Sequence, residues 1–157
     1  MKTSIRILSL ATAIFALGQA TSASAAGPTS GQIIIRGTVG SLCEIGVVDY
    51  GTNLDLVVGE SARAVGQVTE TCNDPDGYSV NFTSNEGGKM VGPLDAESSY
   101  RINYDNVADH SLAADAQLLR PDPRWNEAHE LTVNVDGQDE LPAGEYTDIV
   151  TVTIAAS

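Results

Sequence analysis

Apolar and polar residues alternate in steps of two through much of this chain. Ser79 and Asn81 separate Tyr78, Val80 and Phe82, and Arg101 and Asn103 separate Tyr100, Ile102 and Tyr104. Leu131, Val133 and Val135 alternate with Glu130, Thr132 and Asn134, while Tyr146, Val150, Val152 and Ile154 share one phase against Thr147, Thr151 and Thr153. Near the start, Ile33, Ile35, Val39, Cys43 and Ile45 share a phase, with Arg36, Thr38 and Glu44 in the other. Successive side chains of a strand point to opposite faces, so the pattern turns one face of each run to a core and the other to water, as in antiparallel sheets. Turn residues punctuate the runs at Asn73-Asp74-Pro75-Asp76-Gly77, Asn85-Glu86-Gly87-Gly88, Asp136-Gly137 and Pro142-Ala143-Gly144. The expectation is an all-β chain of about seven short strands in a single β-sandwich. One stretch resists: across residues 108–119, Leu112, Ala116 and Leu119 suit the face of a short helix, and residues 111–119 suit an irregular strand equally well.

The first 25 residues read as an address instead. Lys2 and Arg6 precede an apolar run from Ile7 to Leu17, followed by small and polar residues ending in Ala23-Ser24-Ala25. This is the layout of a secretory signal peptide cut after Ala25, and the run is short for a membrane span. Cleavage removes Lys2 and Arg6 and leaves 132 residues with 6 basic against 21 acidic side chains, a net charge of -15. Nucleic acid and anionic membranes need a basic surface that this chain lacks, and no second apolar run approaches membrane length, so neither nucleic-acid binding nor stable membrane insertion is expected.

Cys43 and Cys72 are the two cysteines. Export to an oxidising compartment makes a disulfide between them the expected state, ahead of a reactive thiol or a metal pair. There is no Cys-x-x-Cys, and no His, Lys or Arg beside either cysteine. Closing a loop of roughly 30 residues is worth roughly 3.5 kcal/mol in loop entropy.

Residues for chemistry are sparse. No Gly-x-Ser-x-Gly surrounds a serine, Glu127-Ala128-His129-Glu130 is not a zinc-binding His-Glu-x-x-His, and no glycine-rich phosphate loop appears. No catalytic residue, cofactor or metal site is expected. Asp74, Asp76 and Gly77 match part of a calcium loop but lack its remaining ligands, and a turn built on Pro75 and Gly77 accounts for them. Trp125, the sole tryptophan, suits core or interface packing, or else stacking on a sugar.

Four segments together resemble bacterial chaperone–usher pilus subunits, and most closely the archaic branch called spore coat protein U domains. They are Gly31-Gln32-Ile33-Ile34-Ile35-Arg36-Gly37-Thr38-Val39 leading to Cys43-Glu44-Ile45; Val48-Asp49-Tyr50-Gly51; Glu70-Thr71-Cys72 with Gly77-Tyr78-Ser79-Val80; and Leu141-Pro142-Ala143-Gly144-Glu145-Tyr146-Thr147-Asp148 followed by the alternating residues 149–154. The last is the most specific. The likeness covers most of the chain beyond residue 25 and is loose across residues 92–125.

The resemblance implies an incomplete immunoglobulin-like sandwich that lacks its last strand and leaves a hydrophobic groove. A periplasmic chaperone fills the groove first, an outer-membrane usher follows, and in the fibre the N-terminal extension of the next subunit adds a strand. On this reading residues 1–25 are the signal peptide, 26–36 the extension and 37–157 the pilin-like domain. Thr29, Gly31, Ile33 and Ile35 are the donor positions, Tyr146, Val150, Val152 and Ile154 the acceptor positions, and the product is an extracellular pilus or surface coat. Seven residues, Ala26 to Gln32, precede Ile33, and none is large and apolar. That short extension also suits a weakly linked subunit, a terminal subunit or a self-completing secreted matrix protein, and a separate alternative is an adhesive carbohydrate-binding tip domain that binds through Trp125 and the loosely matching middle segment. A further alternative is that residues 33–45 form one continuous first strand.

Overall fold

The computed structural model describes Gly27 and residues 30–157. The residues expected to form a signal peptide and the expected donor position Thr29 lie outside the described residues. The chain divides into two units between Gly37 and Thr38, and the nine strands described below lie in the second.

In chain order the strands are β1 (Cys43–Asp49), β2 (Gly59–Cys72), β3 (Tyr78–Ser84), β4 (Lys89–Val91), β5 (Glu97–Tyr104), β6 (Val107–Ser111), β7 (Ala116–Arg120), β8 (Arg124–Asp136) and β9 (Val150–Ala156), with a 3₁₀ turn at Pro93–Asp95. They form two sheets. The larger runs β1-β2-β8-β5-β4, with β6 also paired to β5, and the smaller runs β7-β3-β9. Every named strand pair is antiparallel. The all-β sandwich expected from the alternation is what the chain forms.

The alternation also identified the core. Tyr78, Val80 and Phe82 of β3 meet Tyr100, Ile102 and Tyr104 of β5 and Leu131, Val133 and Val135 of β8, all buried. Phe82 and Tyr104 pack ring to ring across the sheets at 4.8 Å. Burial of side chains of this size contributes roughly 1.5–3 kcal/mol each.

Three local expectations change. The undecided segment is two strands, β6 and β7, with Leu112 buried in the link between them. Its irregular spacing marks a change of sheet. The shared phase from Ile33 to Ile45 does not make one strand: regular pairing begins at Cys43, and Gly37, Gly40 and Ser41 interrupt the run before it. Tyr146 is not part of the final strand, which begins at Val150. The sequence reading also passed over most of β2, because its inward positions include Gly66 and Glu70 and no apolar alternation results. The Asp74–Gly77 segment is a turn: Asp74 Oδ1 accepts from the Asp76 N–H at 2.9 Å, and Gly77 has φ +90° with the Arg120 carbonyl against its Cα. A side chain at Gly77 would meet both that backbone and a strained left-handed conformation.

Candidate functional site

The smaller sheet has three strands and the larger has six, so the smaller cannot cover the whole inner face of the larger. The shortfall lies along β1 and β9. β9 pairs with β3 from Tyr78↔Ala156 to Ser84↔Val150 and has no strand on its other side among the described residues. β1 pairs with β2 alone. The two edges approach each other, with Cα atoms within 8 Å, yet exchange no ladder hydrogen bonds. They run in opposite directions. Cys43 lies opposite Cys72, the 73–77 turn leads to Tyr78, and Tyr78 lies opposite Ala156, so β1 starts where β9 ends.

Burial reports the same gap. Val150, Val152 and Ile154 pack against the core but stay half-buried, as do Cys43 and Ile45 of β1. Val47, the next residue in the inward phase, is 57% exposed. Here the alternating face that should be covered is open, and the backbone donors and acceptors on the outer side of β9 are available for pairing. Val150, Val152 and Ile154 therefore lie together along one edge. Tyr146, the fourth residue expected to be an acceptor position, sits outside the strand.

At the Val150 end the slot widens into a cavity of about 1080 Å³. Leu54, Leu56 and Val65 form one wall, Tyr146 and Val150 the other, and Met90, Tyr100 and Val133 the floor. The sequence reading missed Leu54, Leu56 and Val65. Leu54 and Leu56 do alternate, but over too short a run to mark a strand.

Each wall is fastened separately. Cys43 and Cys72 form a disulfide with Cα atoms 4.1 Å apart, which holds the start of β1 to the buried end of β2. The terminal motif holds the start of β9. Asp148 Oδ2 accepts hydrogen bonds from the Ser84 and Tyr100 hydroxyls, both at 2.5 Å, and Oδ1 accepts from the backbone N–H of Glu86 and Ile149. Burial, together with the hydrogen bond to Asp148, pushes the Tyr100 phenol well above its ordinary value and keeps it a donor. Tyr146 donates to the Pro142 carbonyl at 2.8 Å and lays its ring against Gly92. The Pro-Ala-Gly-x-Tyr-x-Asp pattern is thus a clamp at the wide end of the slot.

The opposite end is closed by a buried polar brace that the alternation gave no hint of. Glu70, fully buried, accepts from the Tyr78 hydroxyl at 2.6 Å, the Tyr104 hydroxyl at 2.5 Å, and Arg120 Nε and Nη2 at 2.9 and 2.7 Å. Arg120 also reaches Asp105 at 2.5 Å. Burial alone would raise the Glu70 pKa, but the hydrogen bonds from Arg120, Tyr104 and Tyr78 outweigh it and hold the carboxyl below its ordinary value. Glu70, Tyr104 and Asp105 belong to the larger sheet side, and Tyr78 and Arg120 to the smaller, so the brace ties the sheets from within.

Of the expected donor positions that are described, Ile33 and Ile35 are 91% and 92% exposed, and Gly31 lies in a stretch without strand structure. Trp125 is 63% exposed, so it is no core residue. Among the described residues no group of three His, Cys, Asp or Glu side chains is placed to hold a metal.

No family model and no curated protein matches the sequence. Among solved structures, the chain is similar to the E. coli Hda pilus minor tip subunit HdaB, at 14% identity over 71% of this chain and 79% of that one, with a TM-score of 0.36. It is also similar to self-complemented MyfA, the major subunit of Myf fimbriae from Yersinia enterocolitica, at 16% identity over 73% of this chain and 99% of that one, with a TM-score of 0.37. What the open edge can do follows from its own geometry.

Proposed function

We propose that this protein is a structural subunit of a chaperone–usher type pilus or surface coat, joined to its neighbours by a strand added beside β9. The observation that carries the reading is the unpaired edge of β9 above a half-buried apolar face. An extended segment laid there gains backbone hydrogen bonds along one side and covers Val150, Val152, Ile154, Ile45 and Val47 with alternate side chains. Within this chain the segment with matching alternation is Thr29, Gly31, Ile33 and Ile35, and it is donated by the next subunit. An exposed apolar edge of this kind is an aggregation hazard during export, which accounts for the need for a periplasmic chaperone as first occupant and an outer-membrane usher as assembly site. The signal peptide in residues 1–25 supplies the route to the cell surface, and the subunit works without catalysis or cofactor.

Deleting residues 29–36 while keeping the signal peptide tests the assignment. The expected product is a secreted, folded domain that does not enter fibres when co-expressed with its chaperone and usher. Fibres of normal length from that variant would overturn the donor assignment, and a full-length chain that stays a stable monomer without any chaperone would overturn the subunit reading.

A further inference from the structure

The cavity at the wide end of the slot has an apolar floor and an acidic rim. Asp49, Asp55, Glu60 and Glu145 all line it, and none of them takes part in an ion pair among the described residues. Asp49, Asp55 and Glu145 are exposed at the mouth. The basic side chains of the domain are mostly committed elsewhere. Lys89 pairs with Glu97, Arg101 with Asp109 and Asp136, Arg120 with Glu70 and Asp105, and Arg124 with Glu127. Against this, Arg36 is the one charged residue between Ala26 and Cys43, and it directly follows Ile35. A cationic strand and a strongly acidic acceptor are complementary.

We infer that Arg36 of a second copy seats in this acidic mouth and sets the register of the strand that enters the slot. The inference rests on the strand-addition reading above. The cavity decides which way the strand lies. The wide end needs apolar bulk, which Ile35 supplies and Gly31 does not, so Ile35 stands beside Val150, Ile33 beside Val152 and Gly31 beside Ile154. Arg36 then falls in the opposite phase, away from the apolar floor, where its long side chain reaches for the exposed carboxylates of Asp55 and Glu145 at the mouth. Glu44, Asp74 and Asp76 lie toward the other end of the slot, and a Glu44→Arg variant tests that end as the alternative seat. Subunits that carry a large like charge repel one another, and this contact supplies a local attraction that also selects the donor.

The test uses the full mature chain and a labelled peptide of residues 29–39, with binding measured at low salt and at about 0.5 M salt, where charge pairs at an exposed rim are screened. The wild-type peptide is expected to bind, and a peptide with Ile33→Asp and Ile35→Asp to fail. An Arg36→Glu peptide is expected to bind about fivefold more weakly or worse at low salt, to approach wild type at high salt, and to recover on a protein carrying Glu145→Arg. If Arg36→Glu binds as well as wild type at low salt, or recovers on Glu44→Arg rather than Glu145→Arg, the electrostatic register is wrong and strand addition stands. If the wild-type peptide does not bind in either condition, strand addition itself fails and the register falls with it.

Discussion

Glu70 and Arg120 stand 50 residues apart in the chain and meet fully buried between the sheets. Each is tolerable there because of the other and because two tyrosine hydroxyls complete the carboxylate's hydrogen bonds. A buried pair of this kind is weak evidence for net stability, but removing one partner strands a charge in a dry site. Glu70→Ala is therefore expected to destabilise the domain by about 3–5 kcal/mol, and the paired replacement Glu70→Leu with Arg120→Met to cost much less. Chemical denaturation of the two variants checks this. A single variant no worse than the double would mean that Arg120 finds water or another partner. Exposed pairs such as Arg101 with Asp136 call for no such accounting, since solvent screens them.

At the level of elements, β9 is an edge strand held from one side. Its ladder to β3 fixes the register, and Asp148 fixes its first residue through Ser84, Tyr100, Glu86 and Ile149. Asp148→Ala leaves the Tyr100 hydroxyl without its acceptor in a largely buried position, a loss of about 1–3 kcal/mol. Because the clamp acts at the wide end of the slot, amide hydrogen exchange should quicken at residues 149–152 while the central β3 amides between Val80 and Phe82 stay protected. Uniform quickening of both would show that Asp148 supports the whole sandwich and not this strand in particular. On the facing wall, the Cys43–Cys72 link keeps β1 on β2, so the slot keeps two separate walls although no strand joins them.

For the molecule as a whole, an incomplete sandwich is stabilised at one end by ionised groups, and pH should reach it from both sides. Glu70 and Asp105 are held below their ordinary values of 4.5 and 3.8, Glu70 by the hydrogen bonds that outweigh its burial and Asp105 chiefly by Arg120. A carboxyl lowered by folding contributes stability that is complete above its unfolded value and is lost as pH falls through the folded one. Burial and the bonds to Glu70 raise the Tyr78 and Tyr104 phenols above their ordinary 10.0, and that contribution is complete below 10.0 and lost as pH rises beyond it. Thermal unfolding midpoints should accordingly form a plateau from about pH 5 to about pH 9, with a fall on each side. In the Glu70→Leu, Arg120→Met variant the acid fall should be shallower. An unchanged acid limb there would place the sensitivity elsewhere.

Alternation is a local property, and in β3, β5, β8 and β9 what it encodes was legible in the sequence: which residues extend and which face each turns inward. Tyr78, Ile102 and Val133 sit where their phase puts them, and the turn residues at 73–77 and 85–88 lie between strands. Val152 has the same phase pattern as Val80, yet Val80 is fully buried in a central strand and Val152 is half-buried at an edge. No local signal separates those two cases, because being an edge means lacking a neighbour, and neighbours come from residues far away in the chain. The same holds for Glu70, whose burial makes sense only once β7 delivers Arg120, and for the cavity, whose walls come from residues 54–65 and 141–150. The chain's own order of residues set the strands and their faces; the long-range pairing of those strands left one side of β9 uncovered, and that open side is the feature on which the proposed function turns.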